Sequence, residues 1–350
     1  MMPARSPRLL NKYIDVTVRG LNDIGVAVDP VPIVPRTMGA EAVHLHWPET
    51  IFSAGRASRH RLLYRTRAAS LLATVRKVRA AGGRLVWTVH NLKPHAALVG
   101  DTRDAYLEFT RAMLCDLDTF ISLSQSGVSE AIAAYPELGG VPYVVARHPH
   151  YRSLVRQSTN GAQLRQALGV PSGAYLLGCI GTVLPYKGVV EAAEAFSLLN
   201  GQDLRLLVVG PLDAQCKDRL RKLAEIDRRL ILLDRPLDDR EIADWHSAVD
   251  AVLFNGASNL NSGSLLMALS LNRPVLAPGN SVNREMACLV GESWMSLFDH
   301  PLDQISLRAH IDQLRSCAFE NGCDLSAFDP VASARSLVRA YSGRAASSAM

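Results

Sequence analysis

Residues Asn261–Pro278 read NSGSLLMALSLNRPVLAP, the pattern of a ligand-binding turn followed by a short helix and a strand. Asn261 or Ser262 can cap the helix. Gly263 allows a ligand to approach the backbone closely, and Ser264 offers a hydroxyl group. The residues after them are apolar on nearly every side, so we expect the helix to be buried. A buried helix with an open amino end can hold a diphosphate, although a purely structural helix with a capped end shows the same pattern.

The same stretch also indicates where the helix ends and which chemistry it lacks. Asn272 can adopt the left-handed conformation that closes a helix, and Pro274 prevents the helix from continuing. No aspartate or glutamate lies between Ala251 and Pro278. A diphosphate at this turn would therefore be held by backbone amides and hydroxyl groups, and any catalytic carboxylate must come from another part of the chain.

A second turn of this kind lies earlier in the chain, at Gly178–Val189, which reads GCIGTVLPYKGV. A predicted strand ends at Gly181, Thr182 begins a tight turn, and Lys187 precedes the next helix. The free N–H groups of such a turn and the positive end of its helix attract an anion, and Lys187 adds a positive charge. An ordinary turn with a solvated lysine is the alternative. Two such turns in one half of the chain favour the phosphate-binding interpretation.

Short apolar strands alternate with helical segments along the whole chain. The predicted strands of the first half cover residues 25–31, 42–47, 84–90, 119–124 and 143–148. Those of the second half cover residues 175–181, 204–210, 230–235, 251–255 and 274–278. This alternation is typical of an α/β fold with parallel sheets that are covered by helices on both faces.

The polar stretch at residues 148–173 is broken by proline and glycine, so we expect it to connect two Rossmann-like domains. The N-terminal domain is predicted at residues 1–150 and the C-terminal domain at residues 151–330. A helix and tail at residues 331–350 could pack on either domain. Two such domains facing one another would place a ligand crevice at the carboxyl ends of their strands.

The composition agrees with this organisation and limits the location of the protein. At 350 residues, 48% of them hydrophobic, the chain is long enough for two globular domains. The six cysteines are scattered and form no CxxC pair, which favours reduced thiols in a cytosolic compartment. The sequence shows neither the apolar core of a signal peptide nor an apolar run of about 18 residues. We therefore expect a cytoplasmic protein without a membrane-spanning segment.

The net charge of the chain is only +5, but the cations are unevenly distributed. No acidic residue lies between Thr50 and Gly100, although this segment carries ten cations: Arg56, Arg59, Arg61, Arg65, Arg67, Arg76, Lys77, Arg79, Arg84 and Lys93. The segment fits either a helix with a solvated basic face or a surface for anionic lipid headgroups, to which each cation adds about 1 kcal/mol. Aromatic residues do not alternate with the cations as in nucleic-acid grooves. We expect an anionic membrane surface as a partner, and no nucleic acid.

Segments from both halves resemble one family of enzymes. In the second half, GTVLPYKG, LRLLVVG and NSGSLLMALSLNRPVLAP resemble the donor half of GT-B glycosyltransferases. In the first half, AVHLHWPE (residues 42–49) and WTVHNLKPH (residues 87–95) resemble the HLHWPE and HNLxPH segments of β-mannosyltransferases from xanthan-type exopolysaccharide assembly. The resemblance covers roughly residues 40–280.

The resemblance implies the GT-B fold, in which the C-terminal domain binds a nucleotide sugar and the N-terminal domain binds the acceptor. It implies GDP-mannose as the donor, a lipid-linked oligosaccharide as the acceptor, a β-linkage in the product, and no cofactor. The protein would then work at the inner face of the cell membrane as a peripheral protein. Gly181, Thr182, Lys187 and residues 261–264 would hold the diphosphate of the donor.

The chain departs from one pattern of the wider GT-B group. Retaining GT-B enzymes commonly carry two glutamates in the region that corresponds to the opening stretch, and the matching positions here hold Asn259 and Met267. Without these carboxylates we expect an inverting reaction, as the xanthan-type resemblance implies. A retaining transferase that uses another nucleotide sugar and a non-catalytic GT-B module that binds a partner enzyme are the alternatives.

An inverting transfer is a single displacement that needs a base for the acceptor hydroxyl and positive charge near the leaving diphosphate. Glu49 is the main candidate for the base, because it follows a predicted strand beside Trp47, which could stack on a sugar of the acceptor. An ion pair with a nearby arginine is the alternative role for Glu49. His90 ends a strand and His95 lies in the following loop, so either could act as the base or bind phosphate instead.

Two further patterns resemble metal sites without indicating one. His44 and His46 share one face of a predicted strand, but no third ligand occurs at a matching spacing. Asp116-Leu117-Asp118 matches the DxD signature of metal-dependent transferases, but it precedes a strand instead of following one. We therefore expect no bound metal, and we expect both histidines in the core or beside the crevice.

Overall fold

The computed structural model of the chain describes residues 11–29, 39–52, 61–94, 98–256, 260–319 and 321–344. The chain forms two compact units. Unit 1 contains Met1–Pro149 together with Phe328–Met350, and unit 2 contains His150–Ala327. The chain therefore enters unit 2 within the polar stretch at residues 148–173, and its last helix returns to unit 1.

Unit 1 contains a four-stranded parallel sheet in the order β1-β2-β3-β4. The strands are β1 (Ala42–Leu45), β2 (Arg84–Thr88), β3 (Thr119–Ser122) and β4 (Tyr143–Val145). The helices are α1 (Lys12–Asp23), α2 (Arg61–Ala80), α3 (Gly100–Cys115), α4 (Gln125–Ala134) and, from the end of the chain, α12 (Pro330–Tyr341). Because consecutive parallel strands are joined by right-handed crossovers, α2, α3 and α4 lie on the same face of the sheet.

The opposite face of this sheet is covered by the first and last helices of the chain. Leu21 of α1 and Leu337 of α12 pack with buried residues of β2, β3 and β4 in one hydrophobic core. The two helices approach closely, because a Cβ atom at Gly20 would lie 2.7 Å from the carbonyl oxygen of Pro330. Helix α12 thus completes unit 1, although all of unit 2 precedes it in the sequence.

The predicted strand at residues 25–31 is wrong in the part that the structure describes. Residues 26–29 form no strand, and residues 30 and 31 lie outside the described ranges. Val26 and Val28 are instead partly buried against the core that α1 and α12 share. Their alternating apolar pattern reflects burial on one side, which does not require a partner strand.

Unit 2 contains a six-stranded parallel sheet in the order β10-β9-β8-β5-β6-β7. The strands are β5 (Tyr175–Ile180), β6 (Leu204–Val209), β7 (Leu230–Leu233), β8 (Ala251–Leu253), β9 (Val275–Pro278) and β10 (Met295–Phe298). The helices are α5 (Gly161–Ala167), α6 (Val189–Ser197), α7 (Ala214–Ile226), α8 (Asp239–Ala248), α9 (Gly263–Ser270), α10 (Ser281–Val290) and α11 (Gln304–Ser316). Every strand predicted for this half is present, and β10 extends the sheet beyond the last of them.

The strand order of unit 2 reverses next to β5. The chain continues from β5 to β6 and β7 on one side, and it returns at β8 to build β9 and β10 on the other side. In open α/β sheets, ligands bind outside the carboxyl ends of the strands at such a reversal. The residues that follow β5 and β8 therefore lie where a ligand is expected.

Helix α9 has the buried character that its sequence predicts. Its residues from Leu265 to Ser270 are all buried. Asn272 adopts the left-handed conformation, with φ 54°, immediately after the helix. Its side-chain oxygen accepts hydrogen bonds from the Arg152 guanidinium and from the backbone N–H of Cys323, at 2.9 and 3.1 Å. The end of α9 is thus fixed by backbone geometry and by two neighbouring segments.

Candidate active site

The turn after β5 and the loop after β8 line a common depression in unit 2. Of the predicted donor-binding residues, Gly181, Thr182, Lys187, Ser262 and Ser264 contribute to this depression. Asn261 and Gly263 lie beside Ser262 in the same loop and helix start. The structure therefore brings the two turns together, as expected for the carboxyl ends of adjacent strands.

The turn after β5 depends on close backbone packing. Gly181 has φ 109°, which favours glycine. A Cβ atom at Gly210, the residue after β6, would lie 2.2 Å from the carbonyl oxygen of Gly181, so the neighbouring turn also needs glycine. Lys187 closes the turn, because its Nζ donates to the carbonyl oxygen of Thr182 at 2.6 Å. Burial lowers the pKa of the Lys187 ammonium. An ammonium has three donors, so this bond leaves two N–H groups for an anion.

Asn255, which follows β8, connects the two turns, and it is not among the site residues predicted from the sequence. Its Nδ2 donates to the carbonyl oxygen of Gly188 at 2.8 Å. Its Oδ1 is buried and has no hydrogen-bond partner in the described part of the chain, and the same holds for Nδ2 of Asn261. Two unsatisfied polar atoms in one site are costly unless a ligand or water completes them. The signal in the sequence was a polar residue, asparagine, at the end of the predicted apolar strand at residues 251–255.

The amino end of α9 has the predicted cap but no carboxylate. Ser262 accepts a hydrogen bond from the backbone N–H of Leu265 at 3.2 Å, and Ser264 is exposed in the first turn of the helix. Met267, one of the two positions that hold glutamate in retaining enzymes, has only 6% of its surface exposed and packs in the core. Asn259, the other position, lies outside the described residues.

Glu49 lies at the carboxyl edge of the unit 1 sheet, in the short helical turn Pro48–Phe52 that follows β1. Asn91 follows the neighbouring strand β2 and donates from Nδ2 to Oε1 of Glu49 at 2.9 Å. Burial raises the pKa of Glu49, and the hydrogen bond from Asn91 partly offsets this effect. Among the described residues no arginine forms an ion pair with Glu49. The hydrogen bond from Asn91 therefore holds the carboxylate in place.

His90 is enclosed and is poorly placed to act as a base. Its Nε2 lies 3.1 Å from Nδ1 of His46, so one ring must donate to the other. Its ring stacks on Trp47 with 4.1 Å between the ring centres and an angle of 19°. Burial lowers the pKa of His90 well below its usual value. Trp47 is partly exposed and His90 is buried, so Trp47 is the member of this stack that a ligand can reach.

Buried histidines continue behind this pair. His44 lies 4.0 Å from His46 between ring centres. Burial lowers the pKa of His44 to about 3 and that of His148 to about 4, so both rings are neutral near pH 7. His95, the third predicted catalytic candidate, lies outside the described residues. His44, His46, His90 and His148 thus form part of the core beneath the site.

The DxD pattern has a structural role. Asp118 accepts a hydrogen bond from the backbone N–H of Leu85 at 2.7 Å and forms an ion pair with Arg79. Asp116 pairs with Arg76 and Arg79. In the ranges that the structure describes, no group of three histidine, cysteine or acidic side chains could hold a metal ion.

The basic segment is only partly a free cationic surface. Besides the pairs of Arg76 and Arg79, Arg65 forms an ion pair with Glu108 of α3 at 3.5 Å. Lys77 is exposed on α2. Arg56 and Arg59 and the side chain of Arg61 lie outside the described part of the chain. No helix in that part is both long enough and apolar enough to cross a membrane.

Comparison of the sequence with known proteins finds two relatives that share one name. The chain is 30% identical over 291 residues to a GDP-mannose:glycolipid 4-beta-D-mannosyltransferase from Xanthomonas campestris pv. campestris, covering 83% of this chain and 76% of the relative. A second protein of that name from the same pathovar is 29% identical over the same length and with the same coverage. No protein-family model matches the sequence.

Solved structures of GT-B glycosyltransferases resemble the fold. Anabaena HepE in complex with UDP and glucose gives a TM-score of 0.55 at 17% identity, covering 79% of this chain and 71% of that chain. Sucrose-phosphate synthase from Thermosynechococcus elongatus gives a TM-score of 0.57 at 16% identity, covering 87% of this chain and 70% of that chain. The predicted GT-B fold class is confirmed.

The raised pKa of Glu49 leads to a prediction about stability. The folded protein favours the protonated form of the Glu49 carboxyl. The stability that this group contributes is therefore fully present below the pKa that it has in the unfolded chain. It is lost as the pH rises through the pKa that the group has in the folded protein. Glu49→Gln keeps an acceptor for Asn91 and removes the buried charge. We expect this variant to melt at a higher temperature than the wild type at about pH 7.5, and at the same temperature below about pH 4, as measured by circular dichroism. Glu137→Gln, at an exposed glutamate, is the control and should match the wild type at both pH values. A variant at Glu49 that is less stable at the higher pH would contradict the prediction.

Proposed function

Because the chain belongs to the family of GDP-mannose:glycolipid 4-beta-D-mannosyltransferases and is a GT-B glycosyltransferase, we propose that it transfers mannose from GDP-mannose to a hydroxyl group of a lipid-linked oligosaccharide, with inversion, during exopolysaccharide assembly. One observation carries the mechanistic part of the proposal. Unit 2 presents Lys187 beside two turns with unsatisfied polar atoms and no carboxylate, whereas unit 1 presents a carboxylate, Glu49, held by Asn91.

The proposed reaction is one displacement at the anomeric carbon of mannose. Glu49 takes the proton of the acceptor hydroxyl, and the acceptor oxygen forms its bond to the anomeric carbon. The bond between that carbon and the phosphate oxygen breaks, and its electron pair leaves with GDP. The ammonium of Lys187 and the backbone N–H groups at the start of α9 stabilise the charge that develops on the diphosphate. Trp47 stacks on a sugar of the acceptor.

The surroundings of Glu49 support its role over that of His90. Glu49 is partly exposed, and its raised pKa makes the carboxylate a better proton acceptor than an ordinary surface glutamate. His90 is buried, is bonded to His46, and has a lowered pKa, so it holds a proton poorly. The two alternatives find less support. A retaining reaction lacks a carboxylate at Met267, which is buried in the core, and a non-catalytic module would not require the unsatisfied amide atoms of Asn255 and Asn261.

Donor binding is predicted to depend on Lys187. Lys187→Ala removes a charged hydrogen-bond donor, so GDP should bind more weakly by about 1.5–3 kcal/mol, as measured by isothermal titration calorimetry. Lys222→Ala, at an exposed lysine of α7, is the control and should leave GDP binding unchanged. Equal affinities of the wild type and Lys187→Ala for GDP would remove Lys187 from the donor site.

We predict that the turnover rate depends on Glu49 and that the affinity for the donor does not. Glu49→Gln should lower kcat by about 10²–10⁴-fold, because general-base assistance is lost, and should leave the affinity for GDP nearly intact. The assay is the transfer of labelled mannose from GDP-mannose to a lipid extract, with Glu137→Gln as the control. A loss below about tenfold would move the role to His90 or His95.

NMR of the product's anomeric centre should show the β-configuration, and an α-linked product would refute the single displacement.

We also propose that the basic segment holds the protein on an anionic membrane surface, where a lipid-linked acceptor is found. The charge of residues 50–100 supports this proposal, since headgroup attraction is screened over about 8–10 Å at ordinary ionic strength. The triple change of Arg56, Arg59 and Arg67 to Gln should reduce sedimentation with anionic liposomes at low salt. The matched control changes three exposed cations of unit 2, Lys222, Arg228 and Arg240, to Gln. If both variants sediment as the wild type does, this segment is not the membrane contact.

A further inference from the structure

A chain of buried contacts joins the last helix of the protein to Trp47. The hydroxyl group of Tyr341, the final residue of α12, lies 2.9 Å from Nδ1 of His44. Nε2 of the same ring lies 2.7 Å from Oγ1 of Thr88 on β2. Both ring nitrogens of His44 are thus occupied, and the ring cannot turn without losing a buried hydrogen bond.

From His44 the contacts continue to the surface. The ring of His44 lies against His46, His46 is hydrogen-bonded to His90, and His90 stacks on Trp47. We call these five side chains, from Tyr341 through His44, His46 and His90 to Trp47, the ring ladder. His44, His46 and His90 in the middle of the ladder are buried, whereas Tyr341 and Trp47 at its two ends are partly exposed.

Tyr13 of α1 limits the movement of the ladder from one side. Its ring meets the rings of His46, Trp47 and His90 edge-on, with 5.4, 6.0 and 4.7 Å between the ring centres. Only 3% of the surface of Tyr13 is exposed. Close-packed interiors transmit small displacements instead of absorbing them. The orientation of Trp47 is therefore coupled to the ring of His44.

We infer that Tyr341 is a positioning residue for acceptor binding, because its hydroxyl group fixes the ring ladder that orients Trp47. The inference rests on the proposed function, in which Trp47 stacks on a sugar of the acceptor. Tyr341 touches no substrate and acts only through the ladder. Without the hydroxyl group of Tyr341, the buried Nδ1 of His44 has no hydrogen-bond partner. The imidazole ring is then expected to rotate toward another partner.

The first test removes the hydroxyl group and keeps the ring. Tyr341→Phe should raise the KM for the lipid-linked acceptor about 3- to 10-fold, the effect of one typical buried hydrogen bond. The KM for GDP-mannose should stay within twofold of the wild type, since the donor turns lie in unit 2. Tyr143→Phe, at a half-buried tyrosine of β4 in the same unit, is the matched control and should change neither constant. Equal changes in both KM values for Tyr341→Phe would indicate a general loss of structure and overturn the inference.

A double-mutant cycle tests whether the effect passes through Trp47. Trp47→Ala removes the outer end of the ladder, so adding Tyr341→Phe to it should raise the acceptor KM no further. If the two losses add, Tyr341 acts by another route and the inference fails.

A third measurement does not depend on transferase activity. The fluorescence of Trp47 is obtained as the difference between the spectrum of each protein and that of its Trp47→Phe counterpart. This emission should shift in the Tyr341→Phe background and stay as in the wild type in the Tyr143→Phe background. Unchanged emission in both would overturn the coupling. A shifted emission in a protein that transfers no mannose would support the coupling and count against the proposed function alone.

Discussion

The central position of β5 is the constraint on which the candidate donor site depends. β5 pairs with β6 on one side and with β8 on the other, so the segments that follow β5 and β8 leave the sheet next to each other. Their proximity allows Asn255 to bond the carbonyl oxygen of Gly188 and so to connect the two turns. It also places Lys187 in the same depression as the start of α9. A single pairing pattern thus assembles the candidate donor site from residues that are about 75 positions apart in the sequence.

The two units differ in the charge that they place near their carboxyl edges. In unit 2 the depression contains a lysine, hydroxyl groups and amides, and the loop and helix after β8 have no acidic residue. In unit 1 the carboxylate of Glu49 follows β1, and burial lowers the pKa values of His44, His90 and His148 in the same unit. Burial raises the pKa of Glu49, and the hydrogen bond from the amide of Asn91 partly offsets this effect. The proposed displacement needs both features, a base for the acceptor hydroxyl and positive charge near the leaving phosphate.

Much of the fold follows from local patterns in the sequence, because the buried strands of a parallel α/β sheet are short apolar runs that are separated by turn residues. The strands β5 to β9, the burial of α9 and the left-handed Asn272 are all of this kind. The contacts that complete the two sites cannot be predicted from local patterns, since they join residues that are distant in the chain. Glu49 and Asn91 meet because β1 and β2 are neighbours, and Tyr341 reaches His44 because α12 returns to unit 1. Local alternation can also mislead, as it did for Val26 and Val28, where one-sided burial occurs without pairing.

The late position of α12 affects the order in which the protein can fold during synthesis. The strands and first four helices of unit 1 leave the ribosome early, but the helix that covers the second face of their sheet follows only after all of unit 2. Until then Val86 and Ile121 lie on a sheet face that is only partly covered, and exposed apolar faces of incomplete domains are where aggregation begins and chaperones bind. Unit 2 is continuous in the sequence and needs no later segment to close its own sheet. The domain that is synthesised first is therefore the one that is finished last.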